Sequence, residues 1–584
     1  METLSVLLSA CIPFSSPGKA ARSRESSATP PFWAKRLPLL LIGSACAFVL
    51  LAARPGPALA APGDLDASFN GTGIVTTSIA GQTDEVFAVA LQSDGKILVA
   101  GSSLGPSSED LAVVRYTADG ALDTTFNATG YAVTAINDGN SYAKSLAIQP
   151  DGKIVAAGYA LPGTGSSLFC FALVRFNTDG SLDTAFDSDG IVTTPFSLDD
   201  AYIDSLANGV AIQPDGKIVA AGTARRLSDH HQVFAVIRYN ADGSLDTGFG
   251  GGTGMATMAI GPDNATGYAL ALQPDGKIVL AGVTSASGTV QLTLARFNAD
   301  GTPDTGFQSA GSLVTTIGTG SSAYAVAVQP DGRIVAGGGA WIDGNQDLLV
   351  ARYMADGSLD TTFGSGAGYV TRSVGTGSDV VRSLAVQPDG RIAAGGDVHN
   401  GTDFDFAMAW FTDTGAPDAT FLGTGFTTTA IGSGQDNAFG LAVQSDGAYV
   451  LAGRTYNGAQ RLIALARYQG LETPIVTTTA AAALTPTTAA AGGDVTYGGA
   501  SPVTARGVCW GPSPGPETTG PHTTDGAGTG AFTSTITGLT PGSRTYVRAY
   551  AVNASGVRYG NEVTLDTPQP TAPSGGPLLL LMDP

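Results

Sequence analysis

QPDGKIVAAG (213–222) and RYNADGSLDTGF (238–249) are separated by only 15 residues, and reading them decides the fold. Pro214-Asp215-Gly216 is the chemistry of a tight turn: proline presets φ and glycine accepts a positive φ. Short apolar or alternating runs rich in β-branched residues flank it: IVTTPF (191–196), NGVAIQ (208–213), KIVAAG (217–222) and VFAVIRYN (233–240). None has a helical period, so the unit predicts four short strands. Working outward, Q-[PS]-D-G recurs with aspartates at 94, 151, 215, 275, 331, 389 and 446. L-D-x-x-F, or a close variant, recurs with aspartates at 66, 123, 183, 246, 304, 360 and 418. Arginine followed by Tyr or Phe stands at 115, 175, 238, 296, 352 and 467, and Trp410-Phe411 takes the remaining place. Three independent markers give one count of seven. One four-stranded sheet cannot bury both of its faces alone, and stacking sheets around an axis solves that. The expectation is an all-β chain: a seven-bladed β-propeller of repeats of about 58 residues over 61–470, with a β-sandwich after it.

The repeat resembles the bacterial delta-60 repeat β-propeller proteins, whose hallmark is QPDGKIVAAG followed later by RYNxDGSLDxxF. The resemblance covers about 400 residues and implies a propeller and export. It carries no known activity and supplies no catalytic residues. Beyond residue 472, ITGLTPGSRTYVRAYAVNASGVRYGNEVTLDT (536–567) resembles the last half of bacterial fibronectin type III-like domains. That implies a spacer or adhesive module over 472–568. In it Val547, Ala549 and Ala551 face the core, Arg548 and Tyr550 face away, and Tyr546 is placed like the tyrosine of a sandwich corner. Residues 569–584 read as a proline-rich disordered tail.

The LDxxF phenylalanines (69, 126, 186, 249, 307, 363, 421) are expected to wedge between neighbouring sheets. Ring closure follows from the ends of the repeat. APGDLDASF (61–69) begins inside a linker motif, and the last unit stops at Arg467-Tyr468-Gln469, where its own linker should start. Arg467 and Asp66 are therefore expected to meet. In RFNTDGSLD (175–183), Asn177, Asp179, Gly180 and Asp183 take four places of a calcium loop, but Arg175 stands at the first. A guanidinium repels Ca²⁺ and can neutralise the aspartate itself. The linker is thus read as a metal-free turn stapled by Arg115–Asp123, Arg175–Asp183, Arg238–Asp246 and, across the termini, Arg467–Asp66.

Lys35-Arg36, the apolar run 37–53 and Ala58-Leu59-Ala60 are the parts of a secretory leader, placing cleavage after Ala60. The expected location is secreted or cell-surface, through the Sec pathway of a bacterium. Excluding 1–60, the chain holds 23 basic and 47 acidic residues, a net charge of −24. That speaks against nucleic acid and anionic membrane as partners. Once the leader is removed no membrane span is expected, and the chain is expected to be monomeric. Cys170 and Cys509 are expected as buried free thiols.

In a four-strand meander the P-D-G turns and linkers share one face, and the remaining loops share the other. The second set varies in length and content, which marks it as the place for binding. It holds Trp341, Arg225, Arg226, His230, His231 and His399, the candidate ligand residues, suited to a glycan or a protein partner. Solvated loop tips with no ligand are the competing reading. The paired acids Asp199-Asp200 and Asp403/Asp405 read as surface solvation. No G-x-S-x-G, H-E-x-x-H or phosphate loop is present, and no catalytic residue, metal or cofactor is assigned. The expected function is a non-enzymatic binding or adhesion protein. The alternatives are an extracellular polysaccharide hydrolase or lyase and a structural envelope protein.

Overall fold

The structure, a computed structural model, describes residues 61–570 apart from 163–167, 197–201, 287, 309, 388, 472 and 500. The expected leader, Asp199-Asp200 and most of the expected tail lie outside the described residues. Two three-residue 3-10 turns, Gly250–Gly252 and Gly364–Gly366, are the only helical elements among the described residues. The strands among the described residues form nine four-stranded antiparallel sheets.

Seven of these sheets come from the repeats. In the third, Tyr202–Ile212, Ile218–Arg226, Gln232–Tyr239 and Met255–Met258 are hydrogen-bonded in that order. This corrects the sequence expectation for the strand IVTT. Ile191–Thr194 does not open the sheet that follows; it pairs with Cys170–Phe176 and completes the one before. The linker causes the offset. Leu245 bridges back to Tyr239, and the Asp246 amide donates to the Arg238 carbonyl at 2.9 Å. The chain leaving each third strand therefore returns antiparallel beside it.

The same offset joins the ends of the repeat region. Ile74–Thr77 pairs with Arg461–Tyr468, Ile74 opposite Ala466, in the sheet begun by Asp436–Val443 and Tyr449–Tyr456. Arg467 Nη1 lies 2.9 Å from Asp66 Oδ2. The first strands of the sheets are Asp84–Leu91, Ser141–Ile148, Tyr202–Ile212, Ala265–Leu272, Ser321–Val328, Asp379–Val386 and Asp436–Val443. Each packs against the next, and the last packs against the first.

Apolar clusters fill the spaces between successive sheets. Phe126 sits with Leu98 and Val113 of one sheet and Ile154 and Ala172 of the next. All seven LDxxF phenylalanines are fully buried, each worth about 1.5–3 kcal/mol. Backbone bonds stitch neighbouring linkers together: Asn127 N–H donates to Asp179 O at 2.6 Å, and Leu422 N–H donates to Pro62 O at 3.2 Å.

Residues 475–566 form the other two sheets, which share one apolar core. Val547, Ala549 and Ala551 lie in it, fully buried. Tyr550 points away from that core but is also buried, its hydroxyl donating to Thr523 O at 2.6 Å. Tyr546 departs from the corner arrangement: it is half-buried and its hydroxyl has no hydrogen bond among the described residues. The Tyr497 hydroxyl reaches the repeats, bonding Asp446 O and, at 3.2 Å, Leu471 O. Cys170 and Cys509 are free and buried, and burial pushes both thiols up to about 11. No helix among the described residues is long and apolar enough to cross a membrane.

Candidate functional site

Every first strand is irregular at one matching place, and that of the third sheet carries a second irregularity between Tyr202 and Asp204. At the matching place the register against the second strand shifts between Val86 and Ala88 in the first sheet, between Ala143 and Ser145 in the second, and correspondingly in the other five. The residues left without a cross-strand partner at the matching place are Phe87, Lys144, Asn208, Tyr268, Tyr324, Arg382 and Phe439. A bulge of this kind bends the strand and re-aims one side chain. The cause lies in the opposing strand, in the glycine that closes each KIVAAG-type segment. A Cβ on Gly101 would stand 1.8 Å from Glu85 O, and one on Gly222 2.0 Å from Leu206 O. Only glycine lets the bulged backbone approach so closely.

All seven bulge residues are half-buried, and all line one cavity of about 230 Å³. Since the first strands run in a cycle, this cavity lies on its axis. Around it, Phe439 pairs with Phe87 at 5.2 Å between ring centroids, and Tyr268 pairs with Tyr324 at 5.0 Å. Lys144 and Asn208 separate the pairs on one side, Arg382 on the other. Lys144 Nζ lies 3.2 Å from the centre of the Phe87 ring. The Arg382 guanidinium lies 4.8 Å from the centre of the Tyr324 ring and 6.0 Å from that of Phe439. Asn208 Nδ2 donates to Gly267 O at 2.7 Å.

The electrostatics around the ring are uneven. Burial pulls the Lys144 ammonium down to about 8; Glu85 and Glu109 oppose the shift, and Arg454 adds to it. Arg382 reaches Asp397 with Nε and Nη2, each at 3.4 Å. Asp397 is 1% exposed. Burial raises its carboxyl above the usual range, against the pull of Arg382. Glu85 accepts from both Arg454 and Arg461 at 2.5 Å. Nineteen Lys and Arg lie between 61 and 470. Twelve bind linker aspartates. Of the other seven, Lys144 and Arg382 line the cavity, and Arg454 lies 5.5 Å from the centre of the Phe439 ring.

The linker side chains are committed to one another. Arg115 Nε lies 2.8 Å from Asp123 Oδ2, and the same contact is 2.6 Å in Arg175–Asp183 and Arg238–Asp246. A second cation from the P-D-G turn joins each pair, Lys153 reaching Asp183 at 2.8 Å. The Arg175 guanidinium lies 4.4 Å from the centre of the Phe186 ring. Arg115 Nη1 donates to Thr178 O of the next linker at 2.5 Å. Asn177 and Asp179 bond Ser181 of their own turn. Where Trp410 replaces arginine, it stacks on Phe421 at 4.6 Å, and Arg391 Nη1 takes Asp418 at 3.2 Å.

The candidate residues named from sequence fall at three separate hairpins. Arg225 Nε donates to His230 O at 3.2 Å. Arg226 pairs with Asp229 at 2.5 Å, and His231 Nδ1 lies 3.6 Å from the same carboxylate. His230 has φ +61°, so the chain bends there. Trp341 is half-buried in a different sheet, its backbone amide donating to Gly320 O at 2.8 Å. His399, in a third sheet, packs edge-on against Phe404 at 5.1 Å. Among the described residues no hydrogen bond, ion pair or ring contact joins the three. Asp403 and Asp405 share Asn400 Nδ2. No group of three or more His, Cys, Asp or Glu suited to a metal occurs among the described residues.

Sequence reasoning missed the bulge ring. Its signal was a polar or aromatic residue breaking an apolar strand, as in Ala143-Lys144-Ser145, opposite an in-strand glycine.

A family model described as a domain of unknown function (DUF5122) β-propeller matches residues 92–126, 149–186, 213–249, 273–307, 329–363 and 387–421. No curated protein matches the sequence. Among solved structures, the chain is similar to the sixth fibronectin type III domain of human fibronectin type III domain containing protein 3. Identity is 25%, the match covers 18% of this chain and 91% of that one, and the TM-score is 0.13. It is also similar to a "putative glycoside hydrolase" from Parabacteroides distasonis. Identity there is 12%, coverage 44% of this chain and 86% of that one, and the TM-score 0.24. The matched segments are the strand–turn–strand and linker pieces of six successive sheets, and the chain is a β-propeller repeat protein.

Proposed function

We propose that the chain is an exported, non-enzymatic binding or adhesion protein. In this reading 61–470 is a closed seven-bladed propeller of the delta-60 type, and 472–568 is a fibronectin type III-like spacer. The ligand is taken at the ring of bulge residues rather than by the separate hairpin tips. One observation carries this. The fold needs a bulge at each of seven places but places no demand on the side chain it re-aims. Those seven side chains are Phe, Lys, Asn, Tyr, Tyr, Arg and Phe around a shared cavity, while the scaffold around them repeats. Aromatic faces with a few convergent polar groups are the usual composition of a ligand site.

A glycan array probed with the full chain tests the reading. Binding lost in Phe87→Ala or Tyr324→Ala and kept in Trp341→Ala is the expected result. Binding kept in both ring variants and lost in Trp341→Ala would return the site to the hairpin tips. A hydrolase or lyase is the second reading, and Asp397 favours it: burial raises the proton affinity of its carboxyl, as a general acid requires, although Arg382 beside it pulls the other way. Cleavage of a bound oligosaccharide, abolished in Asp397→Asn, would replace the binding reading with that one.

A further inference from the structure

Three polar groups of the axial ring stand without partners. Among the described residues, Lys144 Nζ and the hydroxyls of Tyr268 and Tyr324 make no hydrogen bond, and no anion lies within ion-pairing distance of Lys144. Each lines the cavity. The Lys144 ammonium rests on the face of Phe87 instead, a contact far weaker than a salt bridge with a desolvated carboxylate. By contrast Arg382 already has Asp397 and Arg454 already has Glu85. The ring therefore has one uncommitted positive charge, two uncommitted hydroxyls, one amide side chain and two aromatic pairs.

The cavity sets the scale. Its volume of about 230 Å³ falls below the range of about 300–1,000 Å³ usual for drug-sized ligands. One six-membered ring is the fitting size, not a chain. An aromatic pair on each side, its rings tilted to one another by 56° and 48°, offers ring surface to the C–H groups of a pyranose, and hydroxyl and amide groups between the pairs suit its hydroxyls. The lone cation calls for an anionic substituent.

We propose that the axial ring binds a single carboxylated sugar residue, a hexuronic acid, free or at the end of a glycan. Its ring stacks between the phenylalanine and tyrosine pairs, and its carboxylate pairs with Lys144. This rests on the reading of the ring as the ligand site and assigns the ligand's class.

Calorimetry on the full chain with glucuronic acid, galacturonic acid, glucose and galactose tests it. At pH 7 at least one acid binds ten-fold or more tightly than its neutral counterpart. Lys144→Met removes that preference, Lys144→Arg keeps it, and circular dichroism shows both variants folded. The preference declines as pH rises through about 8, because the Lys144 ammonium is lost, and it persists in Lys144→Arg. The groups facing Lys144 are Glu85, Glu109, Arg454, Tyr142 and Tyr159. Burial raises both tyrosine hydroxyls above their usual range. Equal affinity for acid and neutral sugars, or a preference untouched by Lys144→Met, overturns the carboxylate assignment. If Phe87→Ala then abolishes both, the ring remains the ligand site. If none of the four sugars binds the wild-type chain, the sugar assignment falls, and the array with ring variants decides the ring reading separately.

Discussion

At the scale of single residues, most of the repeat's fixed positions have a mechanical reason. Gly222 is fixed because Leu206 O occupies the space a Cβ would need. Gly222→Ala is expected to cost about 3 kcal/mol, read as a drop in the urea midpoint. Asp123 is fixed by charge. Burial works to raise it, but the hydrogen bonds from Thr125 and Lys96 and the charge of Arg115 outweigh burial and hold its carboxyl down at about 2. The ordinary value, 3.8, applies once the chain unfolds. A depressed carboxyl stabilises the fold above the unfolded value and stops doing so as pH falls through the folded one. The stability gap between wild type and Asp123→Asn is therefore widest above pH 4 and closes between about pH 4 and pH 2, which denaturation at a series of pH values measures. The Arg–Asp pairs were legible in the sequence because both partners recur eight residues apart in every complete copy. The bulge ring was not: Phe87, Lys144 and Asn208 share a structural position but no chemistry, so alignment of the repeats hides them.

At the scale of elements, the linker does more than connect. It returns the chain beside the strand it left, buries its phenylalanine between two sheets, and sends an arginine to the next linker's carbonyl. Local pattern located the strands but not the partnership of IVTT, because hydrogen-bonding partners across a turned linker leave no local trace. The short strand's alternation fits either neighbouring sheet. Arg238→Met is expected to cost about 1–3 kcal/mol. It leaves Asp246 with Lys217, 3.0 Å away, as its one remaining cation, and removes the donor to Ala299 O. Hydrogen exchange should show the loss at the linkers on both sides of the substitution, not in one sheet only. Exchange confined to the third sheet would show that the arginine staples its own turn and nothing beyond it.

At the scale of the molecule, the last repeat departs from the others where the C-terminal sheets meet it. Ala448 stands where six repeats carry Lys or Arg after the P-D-G turn. Tyr497 occupies that ground, its hydroxyl so near Gly447 that a Cβ there would overlap it at 1.6 Å. Tyr497→Ala is expected to leave both regions folded and free the C-terminal sheets to swing. Small-angle scattering would report a larger radius of gyration with an unchanged circular dichroism spectrum. The pairing of Ile74–Thr77 with Arg461–Tyr468 also reaches into the chain's history. Synthesis runs from the N-terminus, so Ile74–Thr77, the first strand of the repeats, must wait, bare-edged, for a companion about 400 residues downstream. Joining ends that far apart costs about 5 kcal/mol of chain entropy, regained only when the final repeat is in place. Until that moment every nascent copy carries an exposed template on which another nascent copy can add a strand. Crowded synthesis, rather than the finished protein, is where this architecture is exposed to misassembly.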